Sequence, residues 1–348
     1  MTGTMRGICK MGPGPGAEFR RDILIPQIAD DQVLMKVCAT AICGTDLHLY
    51  HWNEYARTRM TNLPMVFGHE TAGEIVEVGK NVTGWKVGDR ISVETHIPCG
   101  HCLQCAIGNP HICDNMKLFG ITEPGAFAEY APVPKECIVR LDDALSYEQG
   151  AMLEAMGAGA HGVEKAQVRG KTVLVSGCGP IGLMAIGACK IHGAEKIIAC
   201  DLFDEKLERA RTMGADITVN SRNAEALFET VRRETGSGVD AAIDVTGSGR
   251  AIVTGLRALR KAGIFVSVGL PDGEIPVNLT EDIIYREIVY TGVSGRRMFE
   301  TWEDCMEILK TPGFSLDPVI GGVYNLERYE DALRAIEGGA PGKMILVP

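Results

Sequence analysis

Twelve cysteines occur among the 348 residues, and four of them, Cys99, Cys102, Cys105 and Cys113, follow the spacing C-x2-C-x2-C-x7-C. Random scatter would produce that spacing with a probability of about 4 × 10⁻⁴. Two-residue gaps let neighbouring thiolates converge on one ion about 2.3 Å away, and four thiolates close a tetrahedron. A closed shell leaves no position for a substrate, so the predicted role is a structural zinc that ties a loop together. An iron–sulfur cluster, whose ligand runs look similar, and a metal-free loop are the competing readings.

A second set is mixed in type. Cys43 opens Cys-Gly-Thr-Asp-Leu-His48, and Gly68-His69-Glu70 follows. A thiolate, an imidazole and a carboxylate from Glu70 or Glu154 would suit a zinc that keeps one position open for chemistry. Taken singly, each residue has a plainer explanation as a core or surface group. Thr45 and His48 fit the same picture, because a hydroxyl followed by an imidazole can pass the proton of a bound alcohol to solvent. Their plainer roles are a turn cap and an exposed side chain.

Gly177-Cys-Gly179-Pro180-Ile181-Gly182 matches G-x-G-x-x-G, but from 42 glycines about 0.6 such matches arise by chance. A second match, Gly157-Ala-Gly159-Ala-His-Gly162, is present. Context separates them. The Gly177 loop follows a Val-rich strand and opens an apolar helix, whose free N–H groups can hold a pyrophosphate. Asp201, 19 residues beyond Gly182, is where an acid would accept the ribose hydroxyls of NAD and repel the 2′-phosphate of NADP. The Gly157 match has no strand before it and is expected to be a packing segment.

These residues need elements to position them. Short Val/Ile-rich runs at 172–176, 196–200, 217–220, 240–245, 264–270 and 288–291 alternate with helical patterns at 181–192, 205–213, 227–235 and 251–262. Six buried strands with crossover helices predict an α/β, doubly wound parallel sheet. The first 155 or so residues carry short alternating strands at 33–38, 74–78 and 90–94, the pattern of an antiparallel, barrel-like domain. Helices near 302–309 and 329–337 and a strand at 343–347 are expected to complete that first domain.

Composition excludes other classes. A net charge of -10 without a block of like charges argues against nucleic acid as partner. The longest apolar stretch, 177–189, is too short to span a bilayer, which excludes a membrane span. The first twelve residues lack the apolar run of a secretory signal, so a soluble, cytoplasmic protein is expected.

In their order, Cys43, Gly68-His69-Glu70, the four-cysteine lobe and the Gly177 loop resemble the zinc-containing medium-chain alcohol and polyol dehydrogenases, essentially from end to end. The resemblance implies a Rossmann domain inserted into a barrel-like (GroES-like), mostly β catalytic domain. The catalytic zinc domain would span 1–156 and 296–348, and the NAD-binding domain 157–295. It also implies two zinc ions per chain, a small-molecule alcohol as substrate and a homotetramer. Within the family, His51-Trp-Asn-Glu-Tyr55, Glu94-Thr-His96-Ile97, Gly295-Arg296-Arg297 and Glu300-Thr-Trp302 are similar to members that oxidise L-threonine at C3 to 2-amino-3-oxobutanoate. Polyol or vicinal-diol substrates share every zinc and cofactor motif and form the alternative. A zinc-free reductase and a non-catalytic NAD-binding protein fit less well, given Cys43, His69 and the lobe. By the same resemblance, His96 lies near the substrate, Glu154 approaches or ligates the catalytic zinc, and Arg296 sits near the cofactor edge. The chain departs from the family at Glu154-Ala155, where Glu-Pro is usual, and at Ala158, where the threonine-oxidising members carry Asn.

Overall fold

Strand Gln32–Ala41 is the spine of the first half of the molecule, with Val33, Leu34, Met35, Val37 and Ala39 all buried. It pairs antiparallel with Glu70–Val78, Tyr130–Pro134 and Lys343–Val347 in a seven-stranded sheet. Val33, Met35, Val37, Ile75, Ile91 and Phe119 pack into one apolar core, and Ile8, Leu49, Phe67, Phe127, Leu333 and Leu346 into another. In a computed structural model describing residues 2–271 and 273–348, the chain up to Ala155 and Ile320–Pro348 form one unit, and Met156–Val319 the other. The sheet explains why the first unit needs a distant segment. Ala41 lies opposite Glu70 on one side and Ile345 on the other, which carries Lys343 towards Glu70. A smaller sheet joins Thr4–Lys10 to Glu18–Leu24 and Met65–Val66, and the ribbon His96–Ile97/Lys117–Leu118 brackets the cysteine lobe.

The second unit is a six-stranded parallel sheet, with Thr172–Ser176 flanked by Lys196–Asp201 and Val239–Asp244. Outside these lie Ile217–Asn220 on one edge, and Leu259–Ser267 then Val289–Gly292 on the other. The order reverses next to Thr172–Ser176, so the crevice beyond its carboxyl end is where a dinucleotide fits this fold. Two local expectations are corrected. The helix expected at 251–262 runs over Gly249–Ala258, because Leu259 is taken up opposite Val239 and a bulge follows, with Ala262 at φ 55°. Helix Glu300–Leu309, expected with the barrel-like segment, lies in the second unit, whose boundary falls at Val319. Its Trp302, Cys305 and Ile308 are buried and Asp304 bonds His192 at 3.1 Å. Among the described residues, no helix is long and apolar enough to cross a membrane.

Candidate active site and metal centres

The cysteine lobe hangs from the His96–Ile97/Lys117–Leu118 ribbon. Sγ of Cys102 lies 3.5 Å from that of Cys105 and 3.7 Å from that of Cys113. A tetrahedron with 2.3 Å metal–sulfur bonds has edges of about 3.8 Å, whereas a disulfide needs about 2.05 Å. All twelve cysteines are free thiols. Main-chain N–H groups of His101 and Cys102 pull the Cys99 thiol down to about 6, and those of Cys105 and Asp114 lower Cys102. Cys105 is pushed up to about 12 by desolvation and by its sulfur neighbours. Four thiols at this spacing, fed by N–H donors, fit a tetrahedral metal.

Cys43, His69 and Glu70 each offer a ligand atom, all within 4.8 Å of one another. Cys43 caps helix Gly44–His51, and its N–H donates to Asp46 Oδ2 at 2.8 Å. His69 and Glu70 begin strand Glu70–Val78 after Gly68, whose φ of +95° and contact with the Phe127 ring leave no room for a side chain. Both His69 and Glu70 are buried. His69 Nδ1 lies 3.4 Å from Asp46 Oδ1, and Glu70 Oε1 accepts from Lys343 Nζ at 2.7 Å. His69 Nδ1 and Asp46 Oδ1 make no hydrogen bond but face one another at 3.4 Å, and Glu70 Oε2 also lacks a hydrogen-bond partner. Unmatched buried polar atoms are costly, and a cation among these three groups would remove that cost. Burial opposes a charge on His69, yet Asp46 outweighs it and holds the imidazole well above its ordinary range. Metal uptake must therefore displace a proton. Burial likewise raises the Glu70 carboxyl, against the pull of Lys343.

Thr45 and His48 sit three apart on the Cys43 helix and share a face. Asn53 Oδ1 accepts from Ala56 N–H, so its amide nitrogen is the atom 2.7 Å from His48 Nδ1. Glu154 is buried and accepts from Thr95 Oγ1 at 2.8 Å; it lies outside the Cys43–His69–Glu70 grouping. His96 Nδ1 meets the fully buried Glu94 carboxylate at 2.6 Å, and its main-chain N–H donates to the same oxygen at 2.8 Å.

In the second unit, Gly177 has φ +97°, and any Cβ there would lie 2.6 Å from Thr246 Cγ2. A Cβ at Gly182 would strike the Gly177 carbonyl oxygen, so this glycine permits close packing of helix on strand. Gly179 differs, since a Cβ there would meet nothing within 4 Å. It caps helix Pro180–Ile191 without a side-chain hydrogen bond, leaving the first-turn N–H groups facing open space. A cavity of about 370 Å³ opens there, lined by Gly177, Gly179, Asp201, Lys206, Thr246 and Ser248. Asp201 accepts from Cys178 N–H at 2.8 Å and Phe203 N–H at 3.1 Å. Each oxygen keeps a further lone pair, which fits a ribose diol. Arg296 is 1% exposed and packs against Gly157, with its guanidinium 5.7 Å from the Trp302 ring. The second glycine match lies inside helix Tyr147–Ala166, with Gly159 against Ile181 and Ala185, as a packing segment should.

Two known domain families match: the alcohol dehydrogenase GroES-like domain over residues 29–143 and the zinc-binding dehydrogenase domain over residues 180–311. An L-threonine 3-dehydrogenase of Caldanaerobacter subterraneus subsp. tengcongensis is 40% identical across 100% of both chains. The chain is a zinc-binding medium-chain dehydrogenase. Solved relatives of this dehydrogenase include the 2R,3R-butanediol dehydrogenase of Bacillus subtilis, with a TM-score of 0.89 and 29% identity over 99% of each chain. An alcohol dehydrogenase of Escherichia coli complexed with NADH (TM-score 0.88, 26% identity, 99% of each chain) is also similar. So is a Sinorhizobium meliloti dehydrogenase bound to NADP (TM-score 0.88, 28% identity, 99% of this chain and 100% of that one).

Four groups beside the dehydrogenase's candidate ligands escaped sequence reasoning. Asp46 stands three residues after Cys43 and reads as a helix-capping acid. Thr95 and Glu94 are ordinary strand-end residues until Glu154 and His96 face them. Lys343 lies 273 residues from Glu70, beyond the reach of any local pattern.

Proposed function

We propose that this dehydrogenase oxidises the C3 hydroxyl of L-threonine with NAD, giving 2-amino-3-oxobutanoate, NADH and a proton. The observation that carries the alcohol chemistry is the Cys43–His69–Glu70 set, with half-buried Cys43, buried His69 and Glu70, and an unmatched carboxylate oxygen. Full-length similarity to an L-threonine 3-dehydrogenase carries the substrate. One zinc would be held by Cys43, His69 and Glu70, with Glu154 nearby, and a second by Cys99, Cys102, Cys105 and Cys113. When bound, the first supplies Lewis acidity to the substrate hydroxyl, and the nicotinamide accepts the hydride. Asp46 holds the His69 ring, and Lys343 offsets the Glu70 charge. Thr45 and His48 would relay the hydroxyl proton outward; Asn53 donates to His48 Nδ1 at rest, so that nitrogen takes the relayed proton only as Asn53 lets go, with the Nε2 proton released to solvent. Glu94 holds the His96 ring through Nδ1, which leaves Nε2 for the substrate. We place Gly177, Gly179, Pro180, Ile181 and Gly182 on the pyrophosphate, Asp201 on the adenosine ribose, and Arg296 near the cofactor edge.

A vicinal diol is the second reading, favoured by the likeness to the butanediol enzyme. Zinc-replete protein supplied with NAD and, in turn, L-threonine, sorbitol and 2,3-butanediol separates the two. Threonine is expected to give the highest kcat/KM, and a diol in first place would displace it.

Asp201 favours NAD over NADP. Asp201→Ser is expected to weaken NAD about 10- to 100-fold, the scale of losing hydrogen bonds to a charged acceptor, and to narrow the preference over NADP. Fluorescence titration of both cofactors reads this; an unchanged preference would remove Asp201 from cofactor choice. A homotetramer suits the edge strand Val289–Gly292, which exposes Val289 and Tyr290 beside an open row of main-chain groups. A cytoplasmic location suits twelve reduced thiols.

A further inference from the structure

Lys10 ends strand Thr4–Lys10 and is only 1% exposed. Its ammonium donates to the carbonyl oxygens of Gly16 at 2.7 Å, Tyr50 at 3.1 Å and Gly14, and lies 5.1 Å from the centre of the Trp52 ring. Among the described residues no carboxylate pairs with it, and burial pulls the amine down to about 8. A buried charge without a counter-ion is destabilising unless every donor is matched. Here three N–H bonds meet three carbonyls, and an aromatic face covers the ammonium. That arrangement is a binding site for a monovalent cation, filled by the chain's own side chain.

Two of the carbonyls come from the turn between Thr4–Lys10 and Glu18–Leu24. Gly14 and Gly16 there adopt φ of +131° and +94°, which other residues seldom take. The third belongs to the last turn of helix Gly44–His51, where carbonyls have no partner within the helix and a cation is favoured. Gly16 N–H bonds the same Tyr50 oxygen at 2.8 Å, and Tyr329 Oη donates to the Ala17 carbonyl at 2.6 Å. The ammonium thus sits where the first turn, the helix and residues of 320–348 meet.

We propose that Lys10 is a tethered cation that locks the C-terminal end of the Cys43 helix, and so fixes Cys43, Thr45 and His48 towards its other end. Lys10 is a positioning residue, far in sequence from the groups it sets and in contact with none of the candidate ligands.

The test uses the full-length, zinc-loaded protein and the variant Lys10→Ala, with n-propylammonium chloride or tetramethylammonium chloride at equal ionic strength. Lys10→Ala is expected to melt at lower temperature and to lose at least about tenfold in kcat, a typical loss when support behind a metal ligand is removed, with the Kd for NAD unchanged. Propylammonium, which has three N–H donors, is expected to restore both Tm and kcat in a saturable way. Tetramethylammonium, which has none, restores neither, and the wild type responds to neither salt. Native Tm and kcat in Lys10→Ala, or equal effects of the two cations, would overturn the proposal. Should Lys10→Ala not fold, Lys10→Met fills the space without a charge; it is expected to show the kcat loss without any cation response, and wild-type kcat there refutes the idea. The kcat arm rests on the dehydrogenase reading above, whereas melting needs no substrate, so a wrong substrate and a wrong role for Lys10 give different results.

Discussion

Cys43→Ser is expected to give a folded protein that binds NAD, carries one zinc fewer, and oxidises its alcohol at least about 10³-fold more slowly, since a Lewis acid lowers the barrier by several kcal/mol. The reasoning runs through what the other groups can do alone. Asp46 lies beside His69 and Lys343 bonds Glu70, so both side chains have protein partners of their own. Two protein ligands are too few to hold a catalytic zinc, which takes three. Folding survives because Cys43 is half-buried and its N–H bond to Asp46 comes from the main chain. Asp46→Ala, which frees the His69 ring without removing a ligand, costs less, about 10- to 100-fold. Zinc content by mass spectrometry, NAD titration and kcat together check this; full-rate turnover with that zinc lost would sink the catalytic role.

Cys102→Ser acts on the fold instead. Helix Leu103–Ala106 buries none of its residues, and Leu103 and Ile107 are 67% and 60% exposed. With little apolar surface buried beneath that helix, the lobe relies on its four sulfurs and on local main-chain hydrogen bonds for order. Loss of the second zinc is expected to destabilise the protein by on the order of 5 kcal/mol, or roughly 10 °C in Tm, and to open residues 99–113 to protease. Excess chelator reproduces the effect in the wild type. A Cys102→Ser protein with native Tm and the zinc content of the wild type would show that Cys102 holds no structural metal.

What sequence could reveal follows from the range of each signal. The parallel sheet announces itself through runs such as Thr172–Ser176 and Lys196–Asp201, because strands buried on both faces must be apolar throughout. The cysteine spacing and the Gly177 loop are local as well: each places all its groups within fifteen residues. The helical pattern at 251–262 ends at Ala258 because a pairing partner, Val239, overrides it at Leu259. The shell around the candidate metal was hidden for the opposite reason. Glu70 and Lys343 meet only through the register of three strands, and nothing at position 343 hints at a carboxylate. Lys10 reads as one more surface lysine until a turn and a helix end close over it.

The register that brings Lys343 beside Glu70 also sets an order of events during synthesis. Chains fold from the N-terminal side as they emerge, and Cys43, His69 and Glu70 leave the ribosome long before residue 343 does. Until then Glu70 has no ammonium beside it, strand Gln32–Ala41 lacks its Lys343–Val347 neighbour, and Tyr329 is not yet there to hold the Ala17 turn. The second unit, by contrast, is built from residues 156–319. The second unit's segment has therefore emerged in full while the metal pocket still lacks Lys343, and a chain stopped before position 343 is left without the ammonium beside Glu70.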